Sequence, residues 1–249
     1  MLVVLARLAS AWAAAPSAPE LDAAWERWRA ELDATARHPF RFAPREWEEV
    51  ARGDVAKRRD RLDGTDRVVG LLWVDADLDT TWLATQDPHG ADLVEGFVEE
   101  ELPGSTPARR LVYQRIDLAR PLTDRQWVIE VVNNVPLVHA TGGRLVERSW
   151  TLSDARGARA EVPNAIWLPR NEGGWFLAEA GRGTILGYHV RTSIGGIVPD
   201  EVMVRWSSST LEGMLRKVAE RTRFVRGHYT GSHPPLRRAD GTEIPRFSP

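Results

Sequence analysis

The sequence has no cysteine, which excludes disulfides, zinc–thiolate sites and thiol catalysis. It also has no excess of charge of one sign, because 33 Lys and Arg residues are matched by 35 Asp and Glu residues, for a formal net charge of −2 at pH 7. A large basic excess is what attracts nucleic acids and acidic membranes. We therefore expect no nucleic-acid partner and at most a transient contact with a membrane.

Motifs for metal, phosphate and nucleophilic chemistry are also missing. The six histidines are scattered and form no zinc motif such as His-Glu-x-x-His. We find no nucleophile elbow and no dinucleotide fingerprint, and Gly181-Arg182-Gly183 does not open a helix as a phosphate-binding loop would. The sequence therefore predicts no metal, no cofactor and no catalytic residue.

Apolar and small residues fill positions 1–15, with an Ala-x-Ala pattern at Ala11 and Ala13. This resembles a secretory signal peptide, although no basic residue precedes the apolar run and Arg7 interrupts it. The alternative is a ragged helical N-terminus. The first interpretation predicts export of a bacterial protein to the periplasm or the medium, and the second a cytoplasmic protein. No other segment approaches the ~18 apolar residues that a membrane span needs.

The length of 249 residues suits one domain of roughly 200 residues with tails, and we expect a monomer. Residues 16–44 are predicted to be a linker and a helix over Leu21 to Ala36, with apolar residues at helical spacing. Residues 45–226 form the predicted domain. The Gly-, Pro-, Ser- and Arg-rich residues 227–249 are predicted to be a disordered tail that is dispensable for folding.

Within the domain, the charged segment Trp47 to Arg61 is predicted to be an edge strand. A short helix is predicted over Asp77 to Thr85, capped by Asp77 or Asp79, and a long final helix over Asp200 to Arg226. Runs of strands bracketed by helices predict an α+β fold. Strands are also predicted over Val68 to Val74, Leu93 to Leu102, Arg109 to Asp117, Gln126 to Asn133, Leu145 to Leu152, Ala165 to Pro169, Gly174 to Ala180 and Thr184 to Thr192.

Three segments resemble motifs of the START family of lipid-transfer domains, within the helix-grip superfamily. Pro121 to Val128 is similar to its turn and strand with an Arg-Asp-aromatic-Val core. Gly174 to Phe176, followed by Gly183 to Tyr188, is similar to its late strands. Ile194 to Pro199 is similar to its Gly-x-Pro turn before the last helix. The resemblance covers roughly residues 45–226 and implies a curved antiparallel sheet that grips a long C-terminal helix around an apolar ligand.

This sequence departs from the family at three positions. Gln126 and Ser193 stand where aspartate is usual or frequent. In some steroid-binding members an arginine, six residues after the arginine of the first motif, pairs with an acid inside the cavity, and here that position is Val131. The resemblance therefore does not favour a sterol.

Aromatic residues on the predicted strands and small residues in the last helix suggest where a ligand binds. Large apolar walls with few polar groups are typical of hydrophobic ligand pockets. Small residues in the helix would leave room beneath it if they face the sheet, although they could equally face solvent. The Ile194 to Pro199 turn would move for ligand entry, because Gly195-Gly196 gives its backbone freedom. The predicted ligand-binding residues are Trp127, Ile129, Trp150, Trp167, Trp175, Tyr188, Trp206, Ser209, Gly213 and Met214.

The sequence thus predicts a module that binds a lipid or another hydrophobic small molecule, for transport or sensing, rather than an enzyme. One alternative is an enzyme of the same fold, such as a cyclase, dehydratase or hydrolase, with His189 or Glu130 as its acid–base group. We expect Glu130 to point away from the face of Trp127 and Ile129. Another alternative is an interaction domain that has no cavity. Neither the ligand nor a partner can be named from the sequence.

Overall fold

In the computed structural model, alternating apolar residues in the middle of the chain form a single sheet. The structure describes residues 15–37, 41–87, 96–118, 123–155, 162–193, 195 and 200–247. Side chains of the last stretch are described from residue 208 onward. Residues 1–14 of the predicted signal and most of the Ile194 to Pro199 turn lie outside the described residues. No helix within the described ranges is long and apolar enough to cross a membrane.

The sheet has nine strands in the order β1-β2-β9-β8-β6-β5-β4-β3, all antiparallel to their neighbours, while the short β7 pairs in parallel with β5. This confirms the predicted α+β class and antiparallel sheet. The strands are β1 (Ala56–Leu62), β2 (Thr65–Val74), β3 (Phe97–Glu101), β4 (Arg109–Ile116), β5 (Arg125–Asn133), β6 (Leu145–Leu152), β7 (Ile166–Trp167), β8 (Arg170–Ala180) and β9 (Gly183–Ser193).

Seven helices lie in the described part of the chain, and they cover the two faces of the sheet. We call the face that packs against α4 and α6 the inner face, and the opposite one the outer face, which packs against α1, α3 and α5. The helices are α1 (Ala18–Glu26), α2 (Arg29–Thr35), α3 (Pro44–Ala51), α4 (Leu78–Ala84), α5 (Val135–Ala140), α6 (Asp200–Arg221) and α7 (Val225–His228).

Side chains alternate between the faces, so each strand contributes to two separate cores. On the outer face, Trp25 of α1 and Trp47 of α3 pack with Phe176 of β8 in a fully buried cluster. On the inner face, Leu211 and Leu215 of α6 pack with residues of β2 and β9. The sheet is therefore the middle layer of three.

Two N-terminal predictions were wrong in their boundaries. The predicted helix Leu21 to Ala36 is two helices, because Trp28 leaves helical geometry at φ −104° and ψ 15°. The predicted edge strand Trp47 to Arg61 begins as helix α3 and becomes strand β1 only at Ala56. Pro44 opens α3, and the Glu46 carboxylate accepts a hydrogen bond from the Ala43 backbone N–H at 2.6 Å, so the helix start is capped.

Two further local signals had different outcomes. Asp77 caps α4 as predicted, with its Oδ1 accepting from the Thr80 N–H at 2.8 Å. Asn134 caps helix α5, which was not predicted, with its Oδ1 accepting from the Leu137 N–H at 3.1 Å. A helix of six residues is too short to show a periodic pattern in the sequence.

The prediction of a disordered C-terminal tail is wrong, because residues after α7 pack against the rest of the domain. Ala239 and Ile244 are buried. The Arg238 guanidinium forms a two-pronged ion pair with Asp79 of α4, at 2.8 Å (Nε–Oδ1) and 2.6 Å (Nη2–Oδ2). The final helix also ends earlier than predicted, at Arg221, and α7 follows after a break.

Candidate ligand-binding site

Helix α6 covers one side of the inner face, where it packs against β1, β2 and β9. Gly70 of β2 permits this close approach, because a Cβ atom there would lie 2.6 Å from Cδ2 of Leu211. An ion pair of 2.7 Å between Lys57 Nζ and Glu212 Oε2 ties the helix to the edge strand β1. The inner faces of β5, β6 and β8 lie to the side of this contact.

Three aromatic rings form a wall on the inner face beside α6. The ring centroids of Trp175 and Tyr188 are 4.6 Å apart, and those of Trp150 and Tyr188 are 5.5 Å apart. The indole of Trp150 lies across β8 at Gly173, where a Cβ atom would overlap it. Its Nε1 donates to Oδ1 of Asn171 at 3.1 Å, which fixes the orientation of the ring. We call Trp150, Trp175 and Tyr188 the aromatic wall.

Trp127 and Phe97 extend the apolar surface towards the other edge of the sheet. Their ring centroids are 5.8 Å apart, and Trp127 Nε1 donates to Oε1 of Gln114 at 2.7 Å. Ile129 lies two residues along β5 on the same face. The indole N–H groups of Trp150 and Trp127 thus each donate to an amide side chain, which leaves their rings as apolar surface.

Tyr188 brings one hydroxyl into this apolar surface. Burial raises the pKa of its phenol well above the usual value. The hydroxyl forms no hydrogen bond with any residue in the described ranges. It is therefore a polar group that a bound molecule could contact.

Arg148 is a charged group on the inner face, and it was not predicted from the sequence. It lies between Val146 and Trp150 in the inward-facing series of β6, and only 8 % of it is exposed. Its Nε donates to Oδ1 of Asn133 at 3.1 Å, and its guanidinium lies 4.8 Å from the centre of the Trp82 ring. The signal in the sequence was a cation in an inward position of an otherwise apolar series.

Six of the predicted site residues lie on the inner side of the sheet or on the sheet-facing side of α6: Trp127, Ile129, Trp150, Trp175, Tyr188 and Met214. Trp167 does not, because β7 pairs with β5 beside Gln126 and places the indole with Tyr113 and Val128 on the outer face. The side chain of Trp206 lies outside the described residues.

The small residues Ser209 and Gly213 of α6 do not lie at the predicted ligand-binding site. Ser209 and Gly213 are exposed on the side of the helix that also carries Arg216 and Glu220. A Cβ atom added at Gly213 would meet nothing within 4 Å. These residues therefore face away from the sheet and do not make room for a ligand beneath the helix.

The two acid–base candidates also lie on the outer face. His189 is buried with its ring centroid 5.9 Å from that of Phe176, a member of the outer cluster. Glu130 points outward, as expected, and forms an ion pair with Arg109. Neither side chain is on the same face as the aromatic wall.

Comparisons with known proteins place this fold among solved structures. No protein-family model matches the sequence, and no curated protein matches it significantly. The STAR-related lipid transfer protein of Xanthomonas axonopodis is similar in structure with a TM-score of 0.57 and 17% identity, over 68% of this chain and 93% of that one. Human StAR-related lipid transfer protein 5 is similar with a TM-score of 0.55 and 15% identity, over 83% of this chain and 96% of that one. Human STARD10 is similar with a TM-score of 0.58 and 9% identity, over 80% and 79%. At these identities the likeness concerns the fold, and the chain has the START helix-grip fold that its sequence motifs predicted.

Proposed function

We propose that this protein binds a lipid or another hydrophobic small molecule between the inner face of the sheet and helix α6. The observation that carries the proposal is the aromatic wall, in which Tyr188 lies on β9, a strand on which α6 packs, and Trp175 and Trp150 lie on the next two strands, β8 and β6. A largely apolar surface with a few polar groups, here Tyr188 and Arg148, is typical of small-molecule sites.

Burial of an alkyl chain on such a surface is favourable without any catalytic group. Each CH₂ removed from water contributes about 0.8 kcal/mol, so a long acyl chain provides ample driving force. Two of the solved structures named above, the Xanthomonas axonopodis protein and human StAR-related lipid transfer protein 5, are lipid-transfer proteins by name, and this supports a lipid as the ligand class. The enzyme alternative loses its two candidate residues, because His189 and Glu130 lie on the outer face.

The experiment compares two neighbouring valines on opposite faces of β5. Val131 and Val132 are both half-buried, but Val131 packs with the inner cluster and Val132 points to the outer face. Val131→Trp should fill space over the inner face and lower the affinity for a fluorescent fatty acid at least about tenfold, which is about 1.4 kcal/mol. Val132→Trp should leave the affinity within about twofold.

Thermal unfolding of both variants checks that each is folded. Equal loss of binding in the two variants, or no loss in either, would contradict the proposed location. Native mass spectrometry of the purified parent protein gives an independent result. Failure to retain or take up any fatty acid, phospholipid or other hydrophobic probe would contradict the proposed function itself.

A further inference from the structure

Arg148 is a buried cation on the inner face that has no acidic partner in the described part of the chain. Its protein contacts there are the hydrogen bond from Nε to Asn133 and the stacking on Trp82. Among the described residues, these contacts leave the two Nη groups of the guanidinium without a hydrogen-bond acceptor. Buried charges in proteins are normally paired, because an unpaired charge is costly to remove from water.

The acids whose charges act on Arg148, Glu99 and Glu101 of β3, are already engaged by other groups. Glu99 of β3 accepts a hydrogen bond from Gln114 Nε2 at 2.7 Å, and Glu101 pairs with Arg110 at 2.6 Å. Arg110 adds a like charge that opposes the charge on Arg148. Burial, the largest cause, lowers the pKa of Arg148 to about 10, so the group still carries its charge at neutral pH.

The surroundings hold Arg148 in a fixed position. Asn133 uses its Oδ1 for Arg148 and its Nδ2 for the carbonyl oxygens of Pro107 and Ala239, at 3.2 and 3.1 Å. Trp82, on the other contact, donates from Nε1 to the carbonyl oxygen of Arg237 at 2.9 Å. The docked C-terminal segment therefore anchors both partners of the arginine, and such anchoring pre-organises a binding group.

Arg148 also borders the aromatic wall. In the register of the sheet it lies opposite Trp175, which in turn lies opposite Tyr188. A row across three strands thus runs from a cation to two aromatic rings. This arrangement matches a molecule with a charged end and an apolar body.

From this geometry we infer that the ligand is an amphipathic molecule with an anionic oxygen head group, a carboxylate or a phosphate, which Arg148 binds while the aromatic wall covers the hydrocarbon part. Guanidinium nitrogens bind the oxygens of either head group in a two-pronged manner. The inference rests on the proposed function, and it adds the chemical class of the ligand.

The experiment measures displacement of a neutral fluorescent lipid from the full-length, delipidated protein by three competitors. These are palmitate, 1-palmitoyl lysophosphatidate and the uncharged hexadecanol. For the parent protein, at least one of the two anions should bind about tenfold or more tightly than hexadecanol. In Arg148→Met that preference should disappear, while the affinity for hexadecanol stays within about twofold.

Two further variants separate charge recognition from structural damage. Arg115→Met removes the same charge from the outer-facing series of β4, where Arg115 pairs with Asp117, and it should keep the preference for the anion. Arg148→Lys should keep part of it. Arg148→Met without ligand should melt at or above the temperature of the parent, because a buried charge that no acid in the described part of the chain pairs with has been replaced by an apolar side chain of similar size.

Each outcome has a distinct meaning. Equal affinity of the parent for hexadecanol and both anions would overturn the inference and leave the proposed function intact, and this comparison needs no variant. An anion preference that survives Arg148→Met would also overturn it. Failure of the neutral fluorescent lipid and of all three competitors to bind would overturn the inference and the proposed function together. Tighter binding of palmitate or of lysophosphatidate decides between carboxylate and phosphate.

Discussion

The lack of a side chain at Gly173 lets the indole of Trp150 lie across β8 and reach Tyr188. A Cβ atom there would overlap both the Trp150 ring and the carbonyl oxygen of His189. Gly173→Ala should therefore displace the aromatic wall, lower the free energy of unfolding by about 1–3 kcal/mol and weaken ligand binding. Urea denaturation and probe titration measure the two effects.

Gly213 provides the matched control for this substitution, since it is exposed in the interior of helix α6 with open space around it. Gly213→Ala should raise the free energy of unfolding by up to about 1 kcal/mol, because alanine is the better helix former. Ligand affinity should not change. A destabilised Gly213→Ala, or a neutral Gly173→Ala, would mean that the two glycines are assigned to the wrong environments.

At the scale of elements, the C-terminal segment behaves as part of the domain rather than as a tail. Removal of residues 236–249 deletes the Arg238–Asp79 ion pair and the buried Ile244. Burial of one isoleucine contributes about 1.5–3 kcal/mol, so the truncated protein should lose at least about 2 kcal/mol of its free energy of unfolding. Urea denaturation of the two proteins tests this.

Arg238→Gln breaks only the ion pair, and it should therefore produce a smaller loss than the truncation. A truncated protein as stable as the full chain would show that the segment is not docked in solution. The composition of residues 227–249 predicted disorder, and it misled because the few apolar residues, Ala239 and Ile244, are placed where they meet the inner core.

At the scale of the whole molecule, tyrosine ionisation should limit stability in alkali. Burial, the charge of Asp87 and a 3.1 Å hydrogen bond to its Oδ1 raise the pKa of Tyr229 to about 12, from the ordinary 10.0. Burial raises the pKa of Tyr188 as well. Between pH 10 and about 12 the Tyr229 phenol keeps its proton in the folded protein but has lost it in the unfolded chain. The free energy of unfolding is therefore full below about pH 10 and falls as the pH rises to about 12.

The free energy of unfolding measured across this range should fall less steeply for Tyr229→Phe than for the parent, because one of the raised tyrosines is gone. Near neutral pH the variant should be less stable than the parent, since the hydrogen bond to Asp87 is lost. Identical slopes for the two proteins would contradict the assignment.

The sequence by itself determined the elements whose patterns are local. Strand β6, Leu145–Leu152, matches its predicted bounds, and Asp77 caps α4 because an Asx cap depends only on residues three apart. Alternation along β5 also placed Trp127 and Ile129 on one face and Glu130 on the other. These features need no knowledge of distant contacts.

Only the tertiary structure decided which faces meet and which residues share the site. The sequence could not show that Ser209 and Gly213 turn away from the sheet, because the apolar side of α6 is fixed by its packing on Gly70. Nor could it bring Arg148 to Trp82, Asn133 and the C-terminal segment, which come from four separate regions of the chain. Burial leaves an ordinary arginine beside an aromatic wall with no acidic partner among the described residues, and burial is a property of the assembled fold.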